Sequence, residues 1–150
     1  MAQDLMLTDS GYNGYDISVG PNGDLETIDG YDTAVWVSLF TDARASSEQV
    51  SAPERRRGWV GNTVSPIADR QLGGLLWLID QRRLTQRTLN EAVDYARLSL
   101  MWLVEDGIAS DISVTGRIVP KYGIELDITL TAQDGGVSKR NLRLWEVTGR

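Results

Sequence analysis

The sequence has 150 residues, of which 41% are hydrophobic and 24% charged, as expected for one folded domain rather than a disordered chain. Its net charge of −6 argues against a generic nucleic-acid-binding protein, which presents a basic surface. The absence of cysteine and histidine excludes disulfides, zinc–thiolate sites and a Ser-His-Asp triad. No apolar stretch reaches the roughly 20 residues of a membrane span.

The first 30 residues predict a β-hairpin, with a loosely ordered arm as the alternative. Residues 15–19 and 24–28 each alternate apolar and polar side chains, which is the period of a half-buried strand. Residues 20–23 between them read Gly-Pro-Asn-Gly and supply turn chemistry. The N-terminus itself lacks the basic region and apolar run of a signal peptide, which predicts assembly in the cytoplasm.

A first helix is predicted from Asp32 to about Ala45, with Asp29 or Asp32 as its cap. Its apolar residues recur at helical spacing: Val35, Trp36, Leu39, Phe40 and Ala43. Residues 46–66 then lose all periodicity. A loop of about 20 residues is uncommon inside a compact domain, where it is usually functional or disordered.

Two further helices are predicted after this loop. Leu72, Leu75, Leu76 and Ile79 mark the second, which ends near Arg82 and Arg83. The third runs from a Thr85 cap to about Asp106 and carries a main apolar stripe: Leu89, Ala92, Val93, Ala96, Leu100 and Leu103. A second stripe in its C-terminal half, Tyr95, Leu98, Met101 and Trp102, predicts burial on more than one side. Gly107 has the position of a left-handed residue that ends a helix.

The last 40 residues alternate with the period of β-strands and predict three of them. Residues 112–118, 122–132 and 142–147 are separated by Pro120 and by a Gln-Asp-Gly-Gly turn at 133–136. Clean alternation is typical of an antiparallel sheet with one buried face. The predicted fold is therefore α+β: an N-terminal hairpin, three helices and a C-terminal three-stranded meander, with the helices on one sheet face, in a single domain over residues 1–150.

The acidic residues form no convincing catalytic or metal site. Glu105 and Asp106 are adjacent at an exposed helix end, where neighbouring side chains point in different directions. The aspartates at 16, 24, 29 and 32 lack the ligand order of an EF-hand. Glu54 is interpreted as a salt-bridge partner of the adjacent arginines. We therefore expect no catalytic residue, no cofactor and no metal.

The middle of the 46–66 loop holds the most informative cluster, Arg55, Arg56, Arg57, Gly58 and Trp59. It lacks the residue order of a phosphate-binding P-loop. A solvated charge run, or a local nucleic-acid patch, are alternatives. Tryptophan and arginine are enriched at protein–protein hot spots, so docking onto another protein is the best interpretation, with Arg44 alongside.

Several segments resemble, in the same order, the baseplate wedge family of Mu-like contractile phage tails. They are the sequences Leu-Phe-Thr-Asp-Ala-Arg-Ala at 39–45, Arg-Arg-Gly-Trp at 56–59, Leu-Trp-Leu at 76–78, Leu-Thr at 84–85, Trp-Leu at 102–103 and Asp-Gly at 106–107. The resemblance runs from about Asp4 to the final strand. Two positions depart from the family pattern: Val60 stands where a second tryptophan is favoured, and Asn62 where an acid is favoured.

The resemblance implies a structural, non-enzymatic wedge subunit at the site where the contractile sheath begins. It implies other wedge subunits and the tail sheath as partners, with central hub or tube proteins as further candidates, six copies per baseplate, and neither nucleic acid nor membrane. The implied location is the virion tail baseplate, in a phage or a prophage-derived machine. The alternatives are a lysozyme-like tail enzyme, which needs Glu48, Glu54 or Glu105 as an essential acid, and an adaptor outside phage tails.

Overall fold

The structure is a computed structural model that describes residues 3–9, 15–65, 70–80, 82–120 and 123–144. The chain divides into two compact units, Met1–Val37 and Ser38–Arg150. The single-domain organisation over residues 1–150 stays a prediction. No helix in the described ranges is both long and apolar enough to cross a membrane.

Short antiparallel strands build the N-terminal unit. Strand β1 (Gln3–Leu5) pairs with β4 (Thr27–Asp29), and β2 (Leu7–Asp9) pairs with β3 (Tyr15–Ile17). The predicted turn is present, because Val19 and Leu25 form an antiparallel bridge across it. The predicted hairpin is therefore confirmed at its turn, whereas its two arms make their longer ladders with strands that the sequence did not predict.

Helix α1 (Asp32–Phe40) begins in the N-terminal unit, and the unit boundary falls within it. The Asp4 carboxylate accepts a hydrogen bond from the Ala34 amide at 3.2 Å, which places a negative charge at the positive end of the helix. The helix is shorter than predicted. It ends at Phe40 because the following backbone, from Thr41 to Ala45, forms hydrogen bonds with other segments instead.

The predicted second helix is wrong. The structure has only a 3-10 turn, Leu76–Ile79, in its place. Gly73 has a φ of +111°, which is outside the helical region, and Gly74 forms a parallel bridge with Asp42. These two glycines hold the backbone extended, so that too few residues remain before Asp80 for an α-helix.

The third predicted helix is confirmed over Gln86–Leu100, here α2, followed by the short α3 (Trp102–Glu105). Thr85 caps α2, since its hydroxyl oxygen accepts a hydrogen bond from the Thr88 amide at 3.1 Å. Gly107 ends α3 with a φ of +70°, and Ile108 N–H donates to the Leu103 carbonyl, as in a Schellman motif.

The C-terminal meander is confirmed, with strands β5 (Ala109–Val119), β6 (Gly123–Ala132) and β7 (Val137–Arg143) in spatial order β5-β6-β7. Its alternating residues are buried on one face: Ile112, Ile124, Leu126, Ile128, Leu130 and Leu142. Helix α2 lies against this face, because a Cβ atom on Gly116 would lie within 3.0 Å of Leu89 and Val93. Residues 145–150, which include the predicted end of the last strand, lie outside the described residues.

Candidate functional site

The segment Thr41–Ala45 lies between two other parts of the chain and connects to both through backbone hydrogen bonds. On one side, the Ala43 amide donates to the Gly74 carbonyl and the Gly74 amide to the Thr41 carbonyl, at 3.0 and 2.9 Å. On the other side, the Ala45 amide donates to the Arg56 carbonyl at 2.9 Å. These backbone hydrogen bonds join the predicted docking loop to the rest of the C-terminal unit.

Gly73 allows this close approach. A Cβ atom at this position would lie 2.4 Å from the Thr41 carbonyl oxygen, a distance that real Cβ atoms do not show. Its φ of +111° is also a conformation that other residues resist. The Gly73-Gly74 pair is therefore required by backbone packing.

Two of the predicted docking arginines bind the loop's own backbone. Arg56 donates from Nε to the Val50 carbonyl at 2.8 Å and from Nη2 to the Ser51 carbonyl at 3.2 Å. Arg44 donates from Nη1 to the Arg57 carbonyl at 3.1 Å and from Nη2 to the Pro53 carbonyl at 3.3 Å. A guanidinium has five N–H donors in a fixed fork, which suits it to gather several carbonyls.

Arg57 has an internal partner of a different kind. Its Nη1 lies 3.1 Å from Oδ2 of Asp42, and its guanidinium carbon lies 4.7 Å from the centroid of the Trp77 ring, in cation–π range. Arg57 itself has a φ of +49° and is followed by Gly58 at +117°. The carboxylate that pairs with the cluster is therefore Asp42; Glu54, the partner expected from the sequence, makes no ion pair among the described residues.

A small pocket of about 190 Å³ adjoins this contact, with Arg57, Trp77 and Asp80 among its lining residues. Partial burial raises the pKa of Asp80, an effect that the nearby Arg57 charge opposes. Within the described ranges, no three acidic side chains lie close enough together to hold a metal ion.

Arg55 and Trp59 are exposed members of the cluster that make no charge-pair contact with the rest of the described residues. The Arg55 side chain makes no hydrogen bond or ion pair within the described residues. The Trp59 side chain is 48% exposed, and its indole lies over Gly61, where a Cβ atom would be 2.2 Å from Cη2 of the ring. Trp59 therefore presents one ring face outward while the other covers the backbone.

A groove of about 510 Å³ runs beside Trp59. We call it the Trp59 groove and define it by its lining residues: Trp59, Gly61, Asn62, Val64, Ser65, Arg70, Gln71, Leu72 and Trp102. The 3-10 turn Val60–Val64 forms part of its wall. Val64, which lines the groove, is 80% exposed, so that Trp59 and Val64 give the groove an apolar, solvent-facing rim. Val60, next to Trp59 in the chain, is 77% exposed. Sequence reasoning missed this rim.

Hydrogen bonds hold both walls of the Trp59 groove. Trp102 donates from Nε1 to Oγ of the buried Ser38 at 2.9 Å. Arg70 binds Asp106 through both arms of its guanidinium, with Nη1–Oδ2 at 2.8 Å and Nη2–Oδ1 at 2.5 Å. This pairing lowers the pKa of the Asp106 carboxyl.

Asn62 joins the turn to the opposite wall. Its Nδ2 donates to the Leu72 carbonyl at 2.9 Å, and its Oδ1 accepts from the Leu72 amide at 2.8 Å. Both a donor and an acceptor are needed, and an ionised carboxylate supplies only the acceptor. The amide at position 62, where the resembling family favours an acid, is thus matched to its local partner.

We expect Asn62→Asp to lower the free energy of unfolding at pH 7 by about 1–3 kcal/mol, because the Leu72 carbonyl loses its donor and faces a negative charge. Urea unfolding measures the change. Asn90→Asp is the matched control, since Asn90 is exposed and its Oδ1 only accepts a hydrogen bond from Gln86. Equal stability of Asn62→Asp and the wild-type chain would contradict the assigned role.

The buried carboxylate of the meander, Glu125, does not line the Trp59 groove. Glu125 on β6 accepts from Nη2 of Arg143 at 3.0 Å and also from Arg117. The hydrogen bond from Arg143, followed by that from Arg117, lowers the pKa of Glu125. A general acid needs the opposite shift, so this carboxyl is held ionised and stabilises the sheet.

The lowered pKa of Glu125 predicts that the free energy of unfolding depends on pH. A carboxyl whose folded-state pKa is depressed adds stability that is present above its unfolded pKa and is lost as the pH falls through the folded pKa. We expect the stability difference between the wild-type chain and Glu125→Gln to be largest near pH 7 and to shrink below about pH 4.5. Chemical unfolding from pH 7 to pH 3 measures it. A difference that is constant with pH would show that the charge is not responsible.

Comparison with known proteins gives one family and two similar relatives. The family described as "Phage protein GP46" matches residues 31–137. The chain is 38% identical to "Baseplate protein gp46" of Escherichia phage Mu over 116 residues, which cover 76% of this chain and 78% of that protein. It is 31% identical to "Mu-like prophage FluMu protein gp46" of Haemophilus influenzae over 115 residues, covering 77% and 78%. The family match includes all residues of the Trp59 groove.

Proposed function

The chain belongs to the family of phage protein GP46, and we propose that it is a structural subunit of a contractile-tail baseplate. The observation that carries this proposal is its 38% identity to the baseplate protein of phage Mu over more than three quarters of each chain. The proposed location is the virion tail, with assembly in the host cytoplasm. In this proposal, the subunit works by binding other tail proteins.

The Trp59 groove is the docking surface that the structure favours. Its rim combines a half-exposed tryptophan with Val64, and the exposed Val60 is next to the tryptophan in the chain. Arg55 lies four residues before Trp59, with its charge unpaired among the described residues. Exposed aromatic and arginine side chains are the usual anchors of protein interfaces. In this proposal Arg55 and Trp59 bind the partner, whereas Arg44, Arg56, Arg57 and Gly58 shape the loop that presents them.

We further propose a wedge position at the site where the sheath begins, with other wedge subunits, sheath, and hub or tube proteins as partners in six copies per baseplate. The meander supports a contact of this kind, because β7 forms one edge of the three-stranded sheet. An edge strand has backbone groups that can pair with an added strand. Proline at an outward-facing amide of β7 should block sheath recruitment while the chain still folds.

A non-enzymatic role agrees with the carboxylates of the structure. Glu125 is fixed between two arginines, and Glu54 and Glu105 are exposed. The rival proposal is a lysozyme-like tail enzyme. Purified protein incubated with peptidoglycan should release no fragments; cleavage that Glu54→Gln or Glu105→Gln abolishes would establish the rival.

The direct test follows the protein into tail particles. Tails assembled with an epitope-tagged chain should carry the tag at the end of the tail tube that bears the baseplate, as seen by immunogold electron microscopy. Deletion of the gene should leave no complete baseplates. Normal tails without the protein would overturn the proposal.

A further inference from the structure

Charge is divided unequally between the two units. Residues 1–37 contain seven of the 21 acidic residues and none of the 15 lysines and arginines. The remaining chain is therefore close to neutral, and the N-terminal unit carries the net negative charge of the molecule. Such a field attracts basic protein surfaces and repels nucleic acid, anionic lipid and a second acidic unit.

The same unit exposes an apolar sheet face. Leu7 pairs with Ile17, and Val19 pairs with Leu25. Directly paired residues point to the same side of their ladder, and Ile17 and Val19 lie two apart along the chain. Four apolar side chains consequently share one side of these pairings: Leu7, Ile17, Val19 and Leu25. We call this set the N-terminal apolar face.

Solvent reaches much of this face, since Ile17, Val19 and Leu25 are each about half exposed. The alternate residues lie on the reverse side, where the Ser18 hydroxyl donates to the Glu26 carboxylate. Asp16 and Asp24, the neighbours of the exposed apolar residues, are themselves exposed. The unit thus combines an apolar contact surface with a surrounding negative field.

We propose that the N-terminal apolar face binds a tail protein whose contact surface is apolar at its centre and rich in lysine and arginine around it. The apolar residues supply the contact, and acidic residues such as Asp16 and Asp24, which alternate with them along the chain, steer the partner toward it. This surface shares no residue with the Trp59 groove. Like charge argues against pairing with the same face of a second copy.

The test is done in assembled tails, so it rests on the proposed baseplate role. The photo-crosslinking amino acid benzoylphenylalanine replaces Leu25, which is 54% exposed, or Leu98 on α2, which is 67% exposed. We expect light to join position 25 to one tail protein, at a segment that contains lysine or arginine, while position 98 gives no such product. A crosslink to another copy of this chain, to an acidic segment, or to nothing would overturn the proposal.

Two sets of variants complete the test. Leu25→Ser should reduce incorporation into tails at least tenfold, whereas the chemically identical Leu98→Ser should not. Asp16→Asn with Asp24→Asn should slow association and weaken its dependence on salt. Equal incorporation of the two serine variants would contradict the proposal even if the chain is present in tails. Absence of the wild-type chain from tails would instead contradict the proposed baseplate role itself.

Discussion

Gly73→Ala is expected to lower the free energy of unfolding by about 3–5 kcal/mol, among the larger effects of a single substitution. Two causes act together. A Cβ atom would lie 2.4 Å from the Thr41 carbonyl oxygen, and alanine resists a φ of +111°. To relieve the clash of the Cβ atom with the Thr41 carbonyl oxygen, the hydrogen bonds between Gly74 and the Thr41–Ala45 segment must lengthen or break. Urea and thermal unfolding measure the loss.

Gly107→Ala separates these two causes. Gly107 also has a positive φ, +70°, but nothing lies within 4 Å of its would-be Cβ atom. Only the backbone strain remains there, so we expect a cost of about 1 kcal/mol. If both alanine variants lose the same stability, the close approach of the two backbones is not what requires glycine at position 73.

Trp59→Ala is expected to reduce incorporation into baseplates at least tenfold while the chain stays folded. Truncating an interface hot spot costs about 2 kcal/mol or more in binding free energy, or roughly 30-fold in affinity. The folded monomer loses less, because the indole is half exposed. Co-expression of tagged wild-type and variant chains, followed by quantification of both in purified tails, measures the difference directly.

Phe40→Ala is the matched control, because Phe40 is also 48% exposed. It removes a similar exposed aromatic surface outside the Trp59 groove, so its incorporation should stay close to that of the wild-type chain. Equal incorporation of Trp59→Ala and the wild-type chain would show that the Trp59 groove is not the docking surface. An equal deficit in both variants would indicate a general effect of lost aromatic surface.

The sequence interpretation places the arginines themselves at the docking contact together with Trp59, and it predicts that Arg56→Ala with Arg57→Ala leaves a folded monomer that fails to enter baseplates. That hypothesis stays a prediction. The structure adds that Arg56 holds the Val50 and Ser51 carbonyls and that Arg57 pairs with Asp42. Arg55→Ala is therefore the cleaner probe of charge at the contact, since it disturbs no internal partner among the described residues.

The sequence predicted best where one local rule decides the structure. The Thr85 cap and the apolar stripe of α2, and the Gly107 position that ends α3, are each set by residues close in sequence. The meander strands alternate cleanly because one face is buried against that helix. Both patterns are readable from spacing alone.

The sequence did not predict the structure where a distant segment of backbone sets the local conformation. Leu75, Leu76 and Ile79 have helical spacing, yet the preceding glycines bond to the Thr41–Ala45 segment 30 residues earlier. The internal partners of the arginine cluster were missed for a related reason, since neither the hydrogen bonds to loop carbonyls nor the choice of Asp42 over Glu54 leaves a periodic signal. Such contacts depend on loop geometry, which composition and spacing do not encode.

The stacking of Trp59 on Gly61 has a consequence for sequence variation in the family. The indole occupies the space that any side chain at position 61 would need. Positions 59 and 61 therefore cannot vary independently in sequence. A larger residue at 61 becomes tolerable only after the tryptophan is lost or reoriented. Homologues that retain tryptophan at the equivalent of 59 should therefore keep glycine two positions later, and exceptions should change both residues together.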